Sequence, residues 1–149
     1  MSQDLASRLP PPMTLERGPK GTYEAYSEEA FRHFLAVECR RAERSTRSLL
    51  LLLVDFHPDH EGRTAIAPAA AAGLFSALTS CVREIDFIGW YRANRVIGAV
   101  LGQGPDAPAP DVSQQIGERV SESLSVLVRR HLEGRIHVRV LQLRSRLRS

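Results

Sequence analysis

The run Ser48–Phe56, SLLLLLVDF, restricts what this chain can fold into more than any other segment. Successive side chains of a strand point to opposite faces, and here both parities are leucine or valine up to Asp55, so neither face suits water. The pattern predicts a central strand covered on both sides, with helices packed on at least one of them.

The neighbouring segments supply those helices. Ser27 offers a side-chain oxygen to cap a helix whose first turn holds Glu28 and Glu29 and whose end holds Arg40, Arg41 and Arg44, charges that suit the helix dipole. Phe31, Phe34, Leu35, Cys39 and Ala42 mark its buried stripe. Residues Ile66–Val82 are alanine-rich, with Leu74, Phe75 and Leu78 at helical spacing. A third helix is expected over Val112–Leu132, with Ile116, Val120, Leu124, Leu127 and Val128 inward and Gly134 as its stop. Between the second and third helices, Phe87–Tyr91 and Val96–Leu101 are apolar arms around the polar segment Arg92–Arg95, which predicts a β-hairpin. Ile136–Leu143 alternates as a strand with one wet face. Helix, strand, helix, hairpin, helix, strand is the order of an α/β sandwich with a mixed central sheet flanked by helices.

A length of 149 residues fits one domain. Residues 1–22, with Pro10, Pro11, Pro12 and Pro19, are read as a flexible arm, 23–143 as the folded domain and 144–149 as a basic tail. No apolar run approaches the ~20 residues of a membrane span. The first residues lack the basic and apolar regions of a secretory signal, so a cytoplasmic protein is expected. Cys39 and Cys81 have no CxxC partner and are read as small apolar residues. The net charge is +3, and Arg129, Arg130, Arg135, Arg139, Arg144, Arg146 and Arg148 crowd the C-terminal part. The segment Arg135–Ser149 holds no aromatic to interleave with those arginines, so nucleic acid is not the expected partner.

From about Tyr26 to Leu143 the chain resembles the GGDEF domain of diguanylate cyclases. Three matches carry the resemblance. FRHFLAVECRRAERSTRSLLLLLVDF is similar to that family's first helix running into its first core strand, with Asp55 where members place a metal-ligating aspartate. REIDFIGWY is similar to the segment before the signature and includes an RxxD pair, Arg83 and Asp86. Arg92, Ala93, Asn94, Arg95 and Val96 then fall on the five signature positions, where only the apolar last place agrees with the family.

The departures imply a degenerate member without enzymatic activity. Phosphoryl transfer by two metal ions needs carboxylates to hold Mg²⁺ against a triphosphate. Asp55 could supply one, but the opposing position on the hairpin is Asn94 or Arg95, and the glycine pair that would approach a nucleotide is Arg-Ala. The loop HPDHEGRTA is also shorter than in active members and lacks their lysine, asparagine and aspartate pattern. The RxxD pair is retained. In the family it forms a regulatory site in which arginine grips a phosphate and the guanine edge of cyclic di-GMP while aspartate accepts from guanine, so the resemblance implies Arg83 and Asp86 as ligand-binding residues. The same i, i+3 pairing is also the pattern of a surface ion pair worth a few tenths of a kcal/mol.

No catalytic residue, resident metal or cofactor is expected. His57 and His60 bracket Asp59 near Glu61, but Pro58 and the want of a further ligand favour a polar loop over a metal site. No nucleophile-elbow motif is present. In the hairpin one of Trp90 and Tyr91 must face the core and the other outward, and Trp90 is taken as the ring that could meet a guanine or a partner. Two functions follow from the resemblance: an inactive regulatory domain receiving cyclic di-GMP, or a protein-interaction or dimerisation module that binds no nucleotide, plausible in bacterial exopolysaccharide or envelope assembly.

Overall fold

The structure, a computed structural model, describes residues 13–16, 22–45, 49–58, 66–82, 85–102, 110–131 and 134–143. In chain order the elements are β1 (Met13–Glu16), β2 (Thr22–Tyr26), α1 (Glu28–Ser45), β3 (Leu49–Pro58), α2 (Pro68–Cys81), β4 (Ile85–Arg92), β5 (Val96–Gly102), α3 (Pro110–His131) and β6 (Gly134–Leu143). The strands form one six-stranded sheet in the order β1-β2-β4-β5-β3-β6. It is mixed, because β2 runs parallel to β4 while the other neighbours are antiparallel.

The leucine run lies where its composition demands. β3 is flanked by β5 and β6, and its two parities enter two cores. Leu50, Leu52, Val54 and Phe56 join Leu74, Phe75 and Leu78 of α2 and Ile116, Val120, Leu124 and Val128 of α3. Leu49, Leu51 and Leu53 join Phe31 and Ala42 of α1 together with Val96 and Val100 of β5. Burying each leucine fully contributes roughly 1.5–3 kcal/mol, so exposing either parity would remove most of the stability of a domain this size.

Local signals set the helix starts. The Ala30 amide donates to Ser27 Oγ at 3.2 Å and the Phe31 amide to the Ser27 carbonyl at 2.8 Å, the expected cap of α1. Pro68 opens α2, a first-turn position where its missing N–H costs no helix bond.

Two features depart from the sequence reading. Met13–Glu16, inside the segment read as a flexible arm, is a strand paired antiparallel with β2, and β2 itself was not anticipated. A four-residue strand flanked by proline and glycine carries too short a period to be read alone, and it is held by a partner rather than by its own propensity. The rest of that arm, residues 1–12 and 17–21, and the basic tail 144–149 lie outside the described residues. Among the described residues, no helix is long and apolar enough to cross a membrane.

Candidate functional site

The hairpin turns through Ala93, Asn94 and Arg95. Asn94 adopts φ 60°, the left-handed region that asparagine tolerates better than most non-glycine residues, and the Arg95 amide donates to the Arg92 carbonyl at 3.0 Å. A register shift between Trp90 and Arg92 re-aims the end of β4 as it enters the turn.

Both neighbouring helix starts hold this tip. The Ala93 amide donates to the Glu28 carboxylate in the first turn of α1. The Ile66 amide, just before α2, donates to the Asn94 carbonyl at 2.7 Å. Arg32 donates from Nε to the Tyr91 carbonyl at 3.0 Å and lies 4.7 Å from the centre of the Tyr91 ring. Glu28 also faces Arg32 across 3.7 Å, an exposed pair of little energetic weight by itself. Backbone groups at the tip are thus engaged by the side chains of Glu28 and Arg32 and by the Ile66 amide.

Asp55 sits beside this turn. In the antiparallel ladder of β3 and β5, Asp55 is opposite Val96, the first residue after the turn. The end of β3 and the hairpin tip therefore border one site. They border a hollow of about 590 Å³ whose lining includes Asp55, His57, Tyr91, Arg92, Arg95 and Arg139. His57 Nε2 lies 3.4 Å from Asp55 Oδ2, and both groups are partly exposed.

The charge balance of this hollow decides its chemistry. Among the described residues that line it are one carboxylate, Asp55, and three guanidiniums. A divalent cation there would keep one carboxylate ligand and meet three like charges, whereas Mg²⁺ is held by carboxylates together with substrate phosphates. Among the described residues, no group of three or more His, Cys, Asp or Glu side chains could hold a metal ion. The described residues of the hollow do not fit a pair of divalent metal ions. Of the His57 loop, Asp59, His60 and Glu61 lie outside the described residues.

The two halves of the RxxD pair differ in what can be said of them. Asp86 is exposed near the start of β4, at the base of the hairpin and away from the turn. Arg83 lies outside the described residues.

Trp90 requires a correction. It is 7% exposed and belongs to the core with α2 and α3, its ring set edge-on to Phe75 at 5.2 Å between centroids. Tyr91 is the half-exposed neighbour, on the α1 face under Arg32. Alternation requires that the two rings part, and opposite Trp90 stands Ile97, a residue of the same core. Of these two rings, the one that reaches the surface is therefore Tyr91.

Sequence reasoning missed Arg139 and Glu28 at the site. The alternation in IHVRVLQL marks Arg139 as wet, but only the β3–β6 register, which pairs Leu53 with Arg139, brings it beside Asp55. Glu28 was read as a dipole charge alone. Burial pushes the Cys39 thiol up, with Glu43 and Glu38 adding to it, and burial likewise raises Cys81, so neither is an activated thiolate.

The fold and this site define a class: a mixed-sheet α/β sandwich with the end of its central strand and a hairpin tip brought together. No protein-family model matches the chain, and no curated protein matches it. Among solved structures, the FimX GGDEF domain from Pseudomonas aeruginosa is similar over 82% of this chain and 77% of its own, with TM-score 0.57 and 15% identity. The diguanylate cyclase SiaD from Pseudomonas aeruginosa, solved in complex with its activator SiaC, matches over 82% of this chain at TM-score 0.56 and 21% identity. The match spans 48% of the SiaD chain. The chain has a GGDEF-like fold.

Proposed function

We propose that this is a catalytically inactive GGDEF-like regulatory domain that receives cyclic di-GMP through Arg83 and Asp86. The observation that carries the loss of catalysis is the reversed charge at the hairpin tip, where Arg92, Arg95 and Arg139 line the hollow that Asp55 enters. Glu28 supports it further by occupying the Ala93 amide, a backbone donor at the tip. The ligand half rests on the retained RxxD spacing and on the exposure of Asp86, which leaves its carboxylate open to a guanine edge.

Isothermal titration of the full chain with cyclic di-GMP should give binding in the micromolar range, and Arg83→Ala should weaken it roughly 10- to 100-fold, the loss of charge-assisted hydrogen bonds to phosphate. Incubation with GTP and Mg²⁺ or Mn²⁺ should yield no cyclic product. Absence of heat up to high micromolar ligand would remove the receptor half, and GTP turnover would remove the inactive half.

A second reading is a protein-interaction or dimerisation module that binds no nucleotide, with exopolysaccharide or envelope assembly as its setting. The SiaD complex favours it, since a protein of similar fold operates with a protein activator. The half-exposed aromatic of the hairpin for such contact is Tyr91, with the exposed Arg92 and Arg95 near it in the chain. Partner capture that persists without cyclic di-GMP and weakens in Tyr91→Ala would favour this reading.

A further inference from the structure

β6 ends the sheet, and among the described residues no strand pairs with its outer edge. It is ten residues long, twice the usual strand, and a row of unpaired amides and carbonyls of that length is a template for another strand. The two faces of β6 differ in kind. Arg135, His137, Arg139 and Leu141 are exposed on one face, in line with the cationic hollow at Asp55. Val138 and Val140 face α3, where they floor a groove of about 630 Å³ walled by Ser113, Gly117, Glu118 and Ser121. Gly117 stands 3.6 Å from Val140 when measured from where its Cβ would be, so the helix runs close to the strand without a side chain between them.

We propose that the outer edge of β6 receives an extended acidic segment of a partner protein by strand addition. Main-chain hydrogen bonds supply the pairing, and alternate side chains supply the selectivity. One parity of the added strand lies beside Arg135, His137 and Arg139, where glutamate or aspartate is favoured. The other parity lies over the groove between α3 and β6, where a small apolar residue covers Val138 and Val140. A second copy of this chain is the poorer occupant. Pairing β6 with β6 would place two arginine rows side by side, and like charges on adjacent strands repel.

The test uses a fluorescein-labelled, capped nonapeptide alternating glutamate with valine, added to the full chain and followed by anisotropy and by hydrogen exchange of the β6 amides. Saturable binding below about 1 mM is expected, with slower exchange in β6. The double variant Arg135→Glu, Arg139→Glu alters exposed side chains only, and it should bind roughly tenfold more weakly while keeping the parent's circular dichroism. A peptide of the same composition with its glutamates and valines in two blocks keeps the charge and loses the parity, so it should bind far less. Equal binding by the block peptide, unchanged β6 exchange, or no binding at about 1 mM would each overturn the proposal, since the arginines would then act only as a general anion attractor or as a guard against aggregation.

Discussion

Replacing Trp90 by alanine should destabilise the domain by roughly 3–5 kcal/mol, the range for deleting a large buried aromatic. The indole packs edge-on against Phe75 of α2, and Leu74, Leu78 and Ile97 of the same core are each no more than 1% exposed. Such neighbours cannot collapse far into the vacated volume, so both the transfer term and the cavity term apply. In urea the unfolding midpoint should fall with little change in slope, and for a chain of this size the melting temperature should drop by about 10 °C. Tyr91→Ala is the contrast. It removes a half-exposed ring and its contact with Arg32, a loss of about 1 kcal/mol or less. If the two variants were equally stable, the indole would not be in the core, and the hairpin would have the opposite face inward. The comparison also bears on function, because a partner lost in Trp90→Ala would report unfolding rather than a contact.

Gly89→Ala should lower stability by about 3 kcal/mol and open the edge of the sheet that carries β1 and β2. A Cβ at Gly89 would stand 2.5 Å from the Tyr26 carbonyl oxygen, 2.9 Å from its nitrogen and 3.0 Å from its carbonyl carbon. These are main-chain atoms of the adjacent parallel strand, which cannot swing aside as a side-chain tip can. The junction is short, with Ala25 opposite Ile88 and Tyr26 opposite Gly89, so shifting Tyr26 disturbs the whole seam. Limited proteolysis should show earlier cleavage around Thr22–Tyr26 in the variant than in the parent. Gly73 in α2 supplies the control, since a Cβ there meets only Leu127 Cδ2 at an ordinary 3.9 Å. Gly73→Ala should therefore stabilise by roughly 0.5–1 kcal/mol, the helix-propensity gain. Equal behaviour of the two alanine variants would mean that β2 and β4 stand farther apart than these distances.

The contacts of the hairpin tip make it part of a larger frame. The turn Ala93–Arg95 is held to Glu28 and to Ile66 at the starts of two helices, so the hairpin tip is part of the frame and not a free loop. Ala93, Asn94 and Arg95 are all exposed, yet the amide of the first and the carbonyl of the second are engaged within the fold.

The sequence by itself determined the elements and most of the faces. The leucine run of β3, the stripes of α2 and α3, the cap at Ser27 and the hairpin around Arg92–Arg95 all depend on side-chain period and turn chemistry, which act over a few residues. It also determined that carboxylates are missing from the hairpin tip, because charge is a property of residue identity and survives any folding. Only the tertiary structure decided which strands are neighbours. Asp55 meets the tip through pairing with Val96, and Arg139 reaches the same hollow through pairing with Leu53, across separations no local period encodes. The same holds for β1 and β2, whose short segments become strands through partners, and for Trp90, whose inward face follows from packing on Phe75. The physical reason is common to all of these: a strand's hydrogen bonds are satisfied by another segment, so its place in the sheet is a property of the assembled chain.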